Sequence, residues 1–274
     1  MSSSSTTSKF VKKLASNDKK TRDSAIANLK LYLGSKNNSS KLSLFEFEKL
    51  WKGLYYSVWF CDRVKTQTKL CENLASIYST TLLDNQDAFL KLFKSFNLII
   101  IKEWPSIDQW RIDKFYMLIR RILRHNFKHL KAKEWDNKLI EQWLSVLNET
   151  LLSGDSKVPL ALPYHLCDIY LDELELVIFE DIIKNKEQEE ITDEEVLEIV
   201  NEVPVLKLIS SFKELNKSAK LKTLREKCKE DVLDDKRLIN WKVIENSNES
   251  EEDVDGDNEA NYDDDSEDEW KGFN

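Results

Sequence analysis

His125 and His129 stand four residues apart, the spacing that puts two imidazoles on one side of a helix where they could hold a metal ion, and His165 and Cys167 are the candidates for further ligands. Their surroundings argue against that chemistry. The pair lies in a run of Arg and Lys that repels a cation, and no carboxylate stands between the two histidines as in a zinc-protease helix. The three histidines are therefore read as surface or boundary residues. The chain has no Gly-rich phosphate loop, no GxSxG and no Walker-type lysine, and a Cys–His nucleophile pair could be drawn only by combining distant residues. Carboxylates crowd residues 172–202, but density without a pocket makes a solvated helix face or the landing site of a basic partner. No catalytic residue, cofactor, metal or small-molecule substrate is expected, and the chain is read as a non-enzyme.

The chemistry that remains is charge. On a helix running from about Ile107 to Lys128, Ile112, Phe115, Ile119, Ile122 and Leu123 gather on one side and Lys114, Arg121, Arg124, Lys128 and Lys131 on the other. Most charge runs are solvated faces. A stripe with so few acids among its cations also suits contact with RNA or an acidic protein. A second basic cluster comprises Lys9, Lys12, Lys13, Lys19, Lys20 and Arg22. The aromatics fall on core faces instead of an exposed stacking platform, so nothing points to the reading of bases. As surface positions, Arg121, Arg124 and Lys128 are expected to accept reversal to Glu without loss of the fold.

The net charge of -9 conceals a segregation. Residues 1–171 carry 27 Lys and Arg against 17 Asp and Glu, while residues 172–202 carry 2 against 13. Residues 203–244 return to 11 against 6, and residues 245–274 end at 1 against 14. Such asymmetry suggests a body facing nucleic acid with acidic appendages. Four scattered cysteines without CxxC spacing suit free thiols in a reducing compartment. The Ser-rich start lacks the apolar core of a signal peptide, and no stretch has the roughly 18 uncharged apolar residues of a membrane span.

Five Gly and four Pro in 274 residues, with long apolar-periodic runs between short breaks, predict an all-α chain. The segment 42–62 organises it. Ser43 and Glu46 form a capping box, Leu42 and Phe47 its hydrophobic staple, and Phe47, Leu50, Trp51, Leu54, Tyr55, Val58 and Trp59 one helical face. Phe45, Tyr56 and Phe60 lie off that face, which predicts a helix covered on more than one side. Before it, Lys9–Leu33 should end at Gly34 as a left-handed cap. After it, helices are expected to start at Asp62, to follow Asp84–Asp87 and end near Trp104, and to run over 107–128, 132–153 with Gly154 as stop, and 164–184. A second capping box, Thr192 with Glu195 and stapled by Ile191 and Val196, opens another, and 205–215 and 221–233 complete the series. Helices of about 15 to 20 residues joined by short turns suggest an irregular HEAT-like helical solenoid, with a helical bundle as the alternative.

The organisation expected is a disordered leader at 1–8, a helical repeat-like domain at 9–243 with a joint near 154–163 marked by Pro159 and Pro163, and a disordered acidic tail at 244–274. In the tail, Trp270 and Phe273 are candidates for a short anchor in a partner's groove, although tail aromatics are commonly incidental. Ser250 and Ser266 precede acids, as targets of acidophilic kinases do.

The stretches FVKKLASNDKKTRDSAIANLKLYL (10–33), KLWKGLYYSVWFCD (49–62), WPSIDQWRIDKFYMLIRRIL (104–123) and PYHLCDIYLDELELV (163–177) together resemble the ribosomal RNA-processing protein 1 family, the Nop-fifty-two-like nucleolar proteins. The resemblance spans roughly residues 9–215, and KLWKGL and DKFYML are not generic helix patterns. It implies an all-α, non-enzymatic factor of the nucleus and nucleolus, needed for precursor rRNA processing on pre-ribosomes that become the large (60S) subunit. The implied partners are pre-60S assembly factors and the large-subunit pre-ribosomal particle, with contact to pre-rRNA and none to membrane. Many family members carry a long basic C-terminal extension where this chain has an acidic tail, so RNA contacts of those extensions do not carry over. The expected role is an assembly scaffold, and the competing one an autonomous RNA-binding module using basic helix faces.

Overall fold

The structure, a computed structural model, describes residues 12–14, 16, 18–185 and 192–245. The expectations for the leader, for Lys9 and Ile191, and for the acidic tail with Ser250, Ser266, Trp270 and Phe273 lie outside the described residues.

Helix α1 (Lys19–Gly34) opens at Asp18, whose carboxylate accepts from the Thr21 amide, and α2 (Lys36–Ser39) is one turn. Helix α3 (Leu44–Trp59) begins with both halves of the Ser43–Glu46 capping box in place and Leu42 and Phe47 buried beside it. Helix α4 (Val64–Ser76) runs into a π turn, Ile77–Thr81, and α5 (Gln86–Glu103) ends just before Pro105. Helices α6 (Ile112–Ala132), α7 (Asn137–Glu149) and α8 (Ala161–Ile178) follow. Then come α9 (Glu180–Asn185), α10 (Asp193–Asn201), α11 (Val205–Leu208), α12 (Ser210–Ser218), α13 (Lys222–Cys228) with its own π turn, and α14 (Lys236–Asn240). The second capping box, Thr192 with Glu195, is also formed. Among the described residues there is no strand.

Alternate helices stack on one another. Helices α3, α5, α7 and α11–α12 make one layer, and α4, α6, α8 and α13 the other. Within each layer neighbours run parallel, as the cross-contacts record. Gln86 meets Gln142 and Asn97 meets Thr150, the C-cap of α7, between α5 and α7, while Tyr116 meets His165 and Lys131 meets the Val177 carbonyl between α6 and α8. The chain is thus a row of antiparallel helix pairs, the solenoid of the two expected architectures. A line of buried rings runs through it, from Trp51 to Tyr78, Phe93, Trp143, Tyr170 and Phe212, each centroid 4.7 to 6.5 Å from the next. Because each pair supplies rings to this line, no pair buries its apolar face alone.

Several boundaries differ from the sequence reading for local reasons. Gly34 is helical, and among the described residues the glycine with left-handed φ is Gly154, at +69°. Helix α7 starts late because Glu134 and Trp135 both have positive φ and Asp136 then caps it, and it stops at Glu149, ahead of Gly154. Helix α8 starts at Ala161 with Pro163 in its first turn, where a missing amide costs nothing. Asp62 caps no helix; its carboxylate faces Lys114. Phe45 is 62% exposed and Phe60 39%, so α3 is not covered all round.

Candidate functional site

Helix α6 buries Phe115, Leu118, Ile119, Ile122, Leu123, Phe127 and Leu130, and its cations lie along the flanks of that face, where the neighbouring helices can reach them. Lys114 is buried, and its Nζ donates to the carbonyls of Trp59 at 2.7 Å and Cys61 at 3.1 Å, capping the end of α3. Arg121 lies 3.6 Å from Glu72 of α4. Arg124 grips Glu173 of α8, a carboxylate with no exposed side-chain surface, and Arg120 holds both Glu173 and Asp172. Lys128 donates to Glu180 at 2.9 Å, and Lys131 to Asp181 at 2.7 Å and to the Val177 carbonyl at 3.0 Å.

The stripe is therefore not an open basic face. Arg121 meets Glu72 and Lys114 meets Asp62, while the counter-charges of Arg124, Lys128 and Lys131 come from the start of the acidic segment, for which the sequence predicts solvent or a basic partner. Asp172, Glu173, Glu180 and Asp181 meet α6, and Arg237 of α14 adds bonds to Asp172 and Glu175. Burial pushes the Glu180 carboxyl up, but its bonds to Lys128 and Lys184 outweigh this and hold it at about 2. The first acids of the 172–202 segment and the α6 cations are thus the two halves of one interhelical ladder.

His125 and His129 are core residues, whereas His165 is half-buried at a boundary, as the sequence predicts. His129 is fully buried, stacked 3.7 Å from Phe89, with Nδ1 donating to the Tyr78 carbonyl at 2.8 Å; burial holds its pKa down at about 4. His125 sits between Ser79, 2.6 Å from Nδ1, and Glu72, 2.8 Å from Nε2. Hydroxyl, imidazole and carboxylate in a row resemble an acyl-transfer relay. Here they tie α4 and its π turn to α6, and Ser79 lines none of the three grooves described below. No group of three or more His, Cys, Asp and Glu suited to a metal occurs among the described residues. Burial also raises the Cys71 thiol to about 12, the reverse of nucleophile activation.

In the second cluster, Lys12, Lys13, Lys19 and Lys20 are exposed, whereas Arg22 is buried with Nη1 donating to the Ser16 carbonyl at 2.7 Å. Helix α1 carries a groove on each flank. One, of about 370 Å³, lies between α1 and α4 and is lined by Lys19, Arg22, Lys30 and Lys69 with Asp23. The other, of about 460 Å³, is lined by Lys13, Lys20, Thr21, Ser24 and Asn28 with no acid. Lys30 and Lys69 were not singled out in the sequence, since they are 39 positions apart and lie within ordinary helical patterns. A third groove, of about 210 Å³, is apolar and lies where the turn before α8 meets the start of α13, between Leu151, Val158, Leu160, Leu221 and Leu224.

The profile of the Nop52 family, described as nucleolar protein Nop52, matches residues 5–273. The chain is 35% identical over 168 residues to mouse ribosomal RNA processing protein 1 homolog A, covering 60% of this chain and 33% of that protein. It is 37% identical over 171 residues to human ribosomal RNA processing protein 1 homolog B, covering 61% and 22%, and 30% identical over 166 residues to the Caenorhabditis elegans homolog, covering 61% and 41%. The matched region thus spans well under half the length of these relatives. Among the described residues no helix is long and apolar enough to cross a membrane.

Proposed function

The chain belongs to the Nop52 family of nucleolar proteins, and from that premise we propose that it is a nuclear, nucleolar ribosome-biogenesis factor acting in the processing of ribosomal RNA. In this reading it is a non-enzymatic scaffold on large-subunit precursor particles, docking among pre-60S assembly factors and touching pre-rRNA. The observation that carries it is the family match over nearly the whole chain, joined to relatives whose names state ribosomal RNA processing. The architecture supports a scaffold. A row of helix pairs presents long edges for partners, and the turns inside successive pairs leave Phe60, Val64, Trp110, Leu160 and Leu221 exposed, with Trp110 84% accessible. The pairing of Arg124, Lys128 and Lys131 with α8 and α9, of Arg121 with Glu72 and the burial of Lys114 move the proposed RNA contact from these residues toward the N-terminal cluster, where Lys12, Lys13, Lys19 and Lys20 remain exposed. The acidic tail with Trp270 and Phe273 is retained as a proposed anchor for a basic partner.

The test is a tagged chain expressed at its native level, with sedimentation before and after nuclease treatment and with depletion. The expected result is cosedimentation with large-subunit precursors that survives nuclease, and accumulation of precursor rRNA on depletion. A chain that stays in free fractions, with normal rRNA processing after depletion, would sink the reading. An autonomous RNA-binding module is the second reading, favoured by the acid-free groove at Lys13 and Lys20. It requires tight, salt-dependent binding of naked RNA by the isolated chain.

A further inference from the structure

We propose that the groove between α1 and α4 is a binding site for the phosphate backbone of single-stranded RNA, with Lys30 and Lys69 as its principal cations. The inference rests on the reading above that this chain works on ribosomal RNA; it adds which surface does so and by what chemistry.

Unneutralised charge is the first argument. Lys30 on α1 is half-buried in the groove wall, and its Nζ donates to the Ser76 hydroxyl at 2.9 Å and meets no carboxylate among the described residues. Lys69, on the α4 wall, is exposed and likewise has no ion pair there. Asp23, the one acid in the lining, is taken up by Lys19 at 2.5 Å. The α6 cations Arg120, Arg124, Lys128 and Lys131, and Arg237 of α14, by contrast sit on carboxylates of this chain. A half-buried ammonium without a counter-charge is costly to hold, as the downward shift of the Lys30 pKa by burial also indicates, and a bound anion offsets that cost.

Geometry selects the anion. Thr66 and Asn73 bring uncharged donors to the α4 wall, and the apolar lining is limited to small and aliphatic groups such as Ala27, Ile26 and Leu70, with no ring on which a base could stack. That suits a backbone carrying a phosphate at every nucleotide, read without regard to sequence. The acid-free groove on the other flank of α1 extends the positive surface around the helix, so a strand leaving one groove meets Lys13 and Lys20.

The experiment measures binding of the full chain to a fluorescent single-stranded RNA of mixed sequence across a salt series, beside the variant Lys30→Gln/Lys69→Gln and the control Lys94→Gln/Lys207→Gln. The control removes lysines already paired with Glu149 and Glu141. Loss of two phosphate contacts should flatten the salt slope by about 1.4 and weaken binding roughly 10- to 30-fold near 0.1 M salt, with the control unchanged. Equal affinity and slope in the groove variant would overturn the site. So would a polyglutamate peptide that binds in a Lys30- and Lys69-dependent way while RNA does not. If the variant fails to fold, RNA protection of Lys30 and Lys69 from amine acetylation in the unmodified chain decides, and absence of protection overturns the site. Sedimentation with precursors is scored separately: groove-dependent RNA binding without it leaves the site standing and removes the proposed function.

Discussion

Arg124 and Glu173 face each other across α6 and α8, the arginine engaging the carboxylate through Nε and through Nη2, which lies 3.0 Å from Oε1. Glu173 is wholly removed from solvent, so its carboxylate depends on Arg124 and Arg120 for the donors that water would otherwise supply. This pair turns what reads as surface charge into part of the packing between two neighbouring helices.

Arg124→Glu should therefore unfold the chain readily, in contrast to the tolerance expected of a surface position. Removing one partner of a buried ion pair costs about 3 to 5 kcal/mol, and a second carboxylate beside Glu173 adds repulsion. A double variant, Arg124→Leu/Glu173→Leu, should recover most of the loss, because no buried charge is left alone. Urea denaturation of both variants checks this; a single variant as stable as the parent would show the pair to be solvated.

Trp51→Ala should cost about 3 to 5 kcal/mol. The indole is 1% exposed, packs against Phe96 with ring centroids 4.8 Å apart, and donates from Nε1 to the Leu92 carbonyl at 3.0 Å. Because the rings run from pair to pair, the loss should appear as one lowered melting transition; an unchanged melting temperature would contradict the packing.

His129 predicts a pH dependence. Its folded pKa, about 4 against an ordinary 6.5, means that on acidification the unfolded chain takes up the proton first. The contribution is intact above pH 6.5 and is lost as pH falls toward 4, reaching about 3 kcal/mol at roughly 1.4 kcal/mol per pKa unit. Burial lowers His125 and His165 in the same direction. His129→Gln retains a donor for Tyr78 and cannot titrate. The fall in urea stability from pH 7.5 to pH 5 should therefore be about 2 kcal/mol smaller in that variant, and an equal fall would contradict the assignment.

Lys114→Met should keep the volume while leaving the Trp59 carbonyl at the end of α3 without its donor, at a cost of about 1 to 3 kcal/mol. Amide exchange in the last turn of α3 should accelerate more than in α5. Uniform exchange across both helices would assign the cost to something other than the cap.

What the linear chain determined was local. The Ser43–Glu46 and Thr192–Glu195 boxes, the apolar faces of α3, α5 and α6 and the all-α class all follow from contacts within a turn or two, where residue type and spacing suffice. The KLWKGL and DKFYML stretches also carried the family resemblance. A helical wheel gives direction around an axis but says nothing of what stands opposite, and the charges show the consequence. Arg124 and Lys128 point away from the apolar stripe, yet meet Glu173 and Glu180 some fifty residues on, because α8 lies parallel against α6. The same stacking buries His125 and His129, leaves Phe45 and Phe60 in solvent, and brings Lys30 beside Lys69. Those outcomes belong to the tertiary structure, since each depends on which helix becomes the neighbour, and that is settled by the summed packing of the whole row.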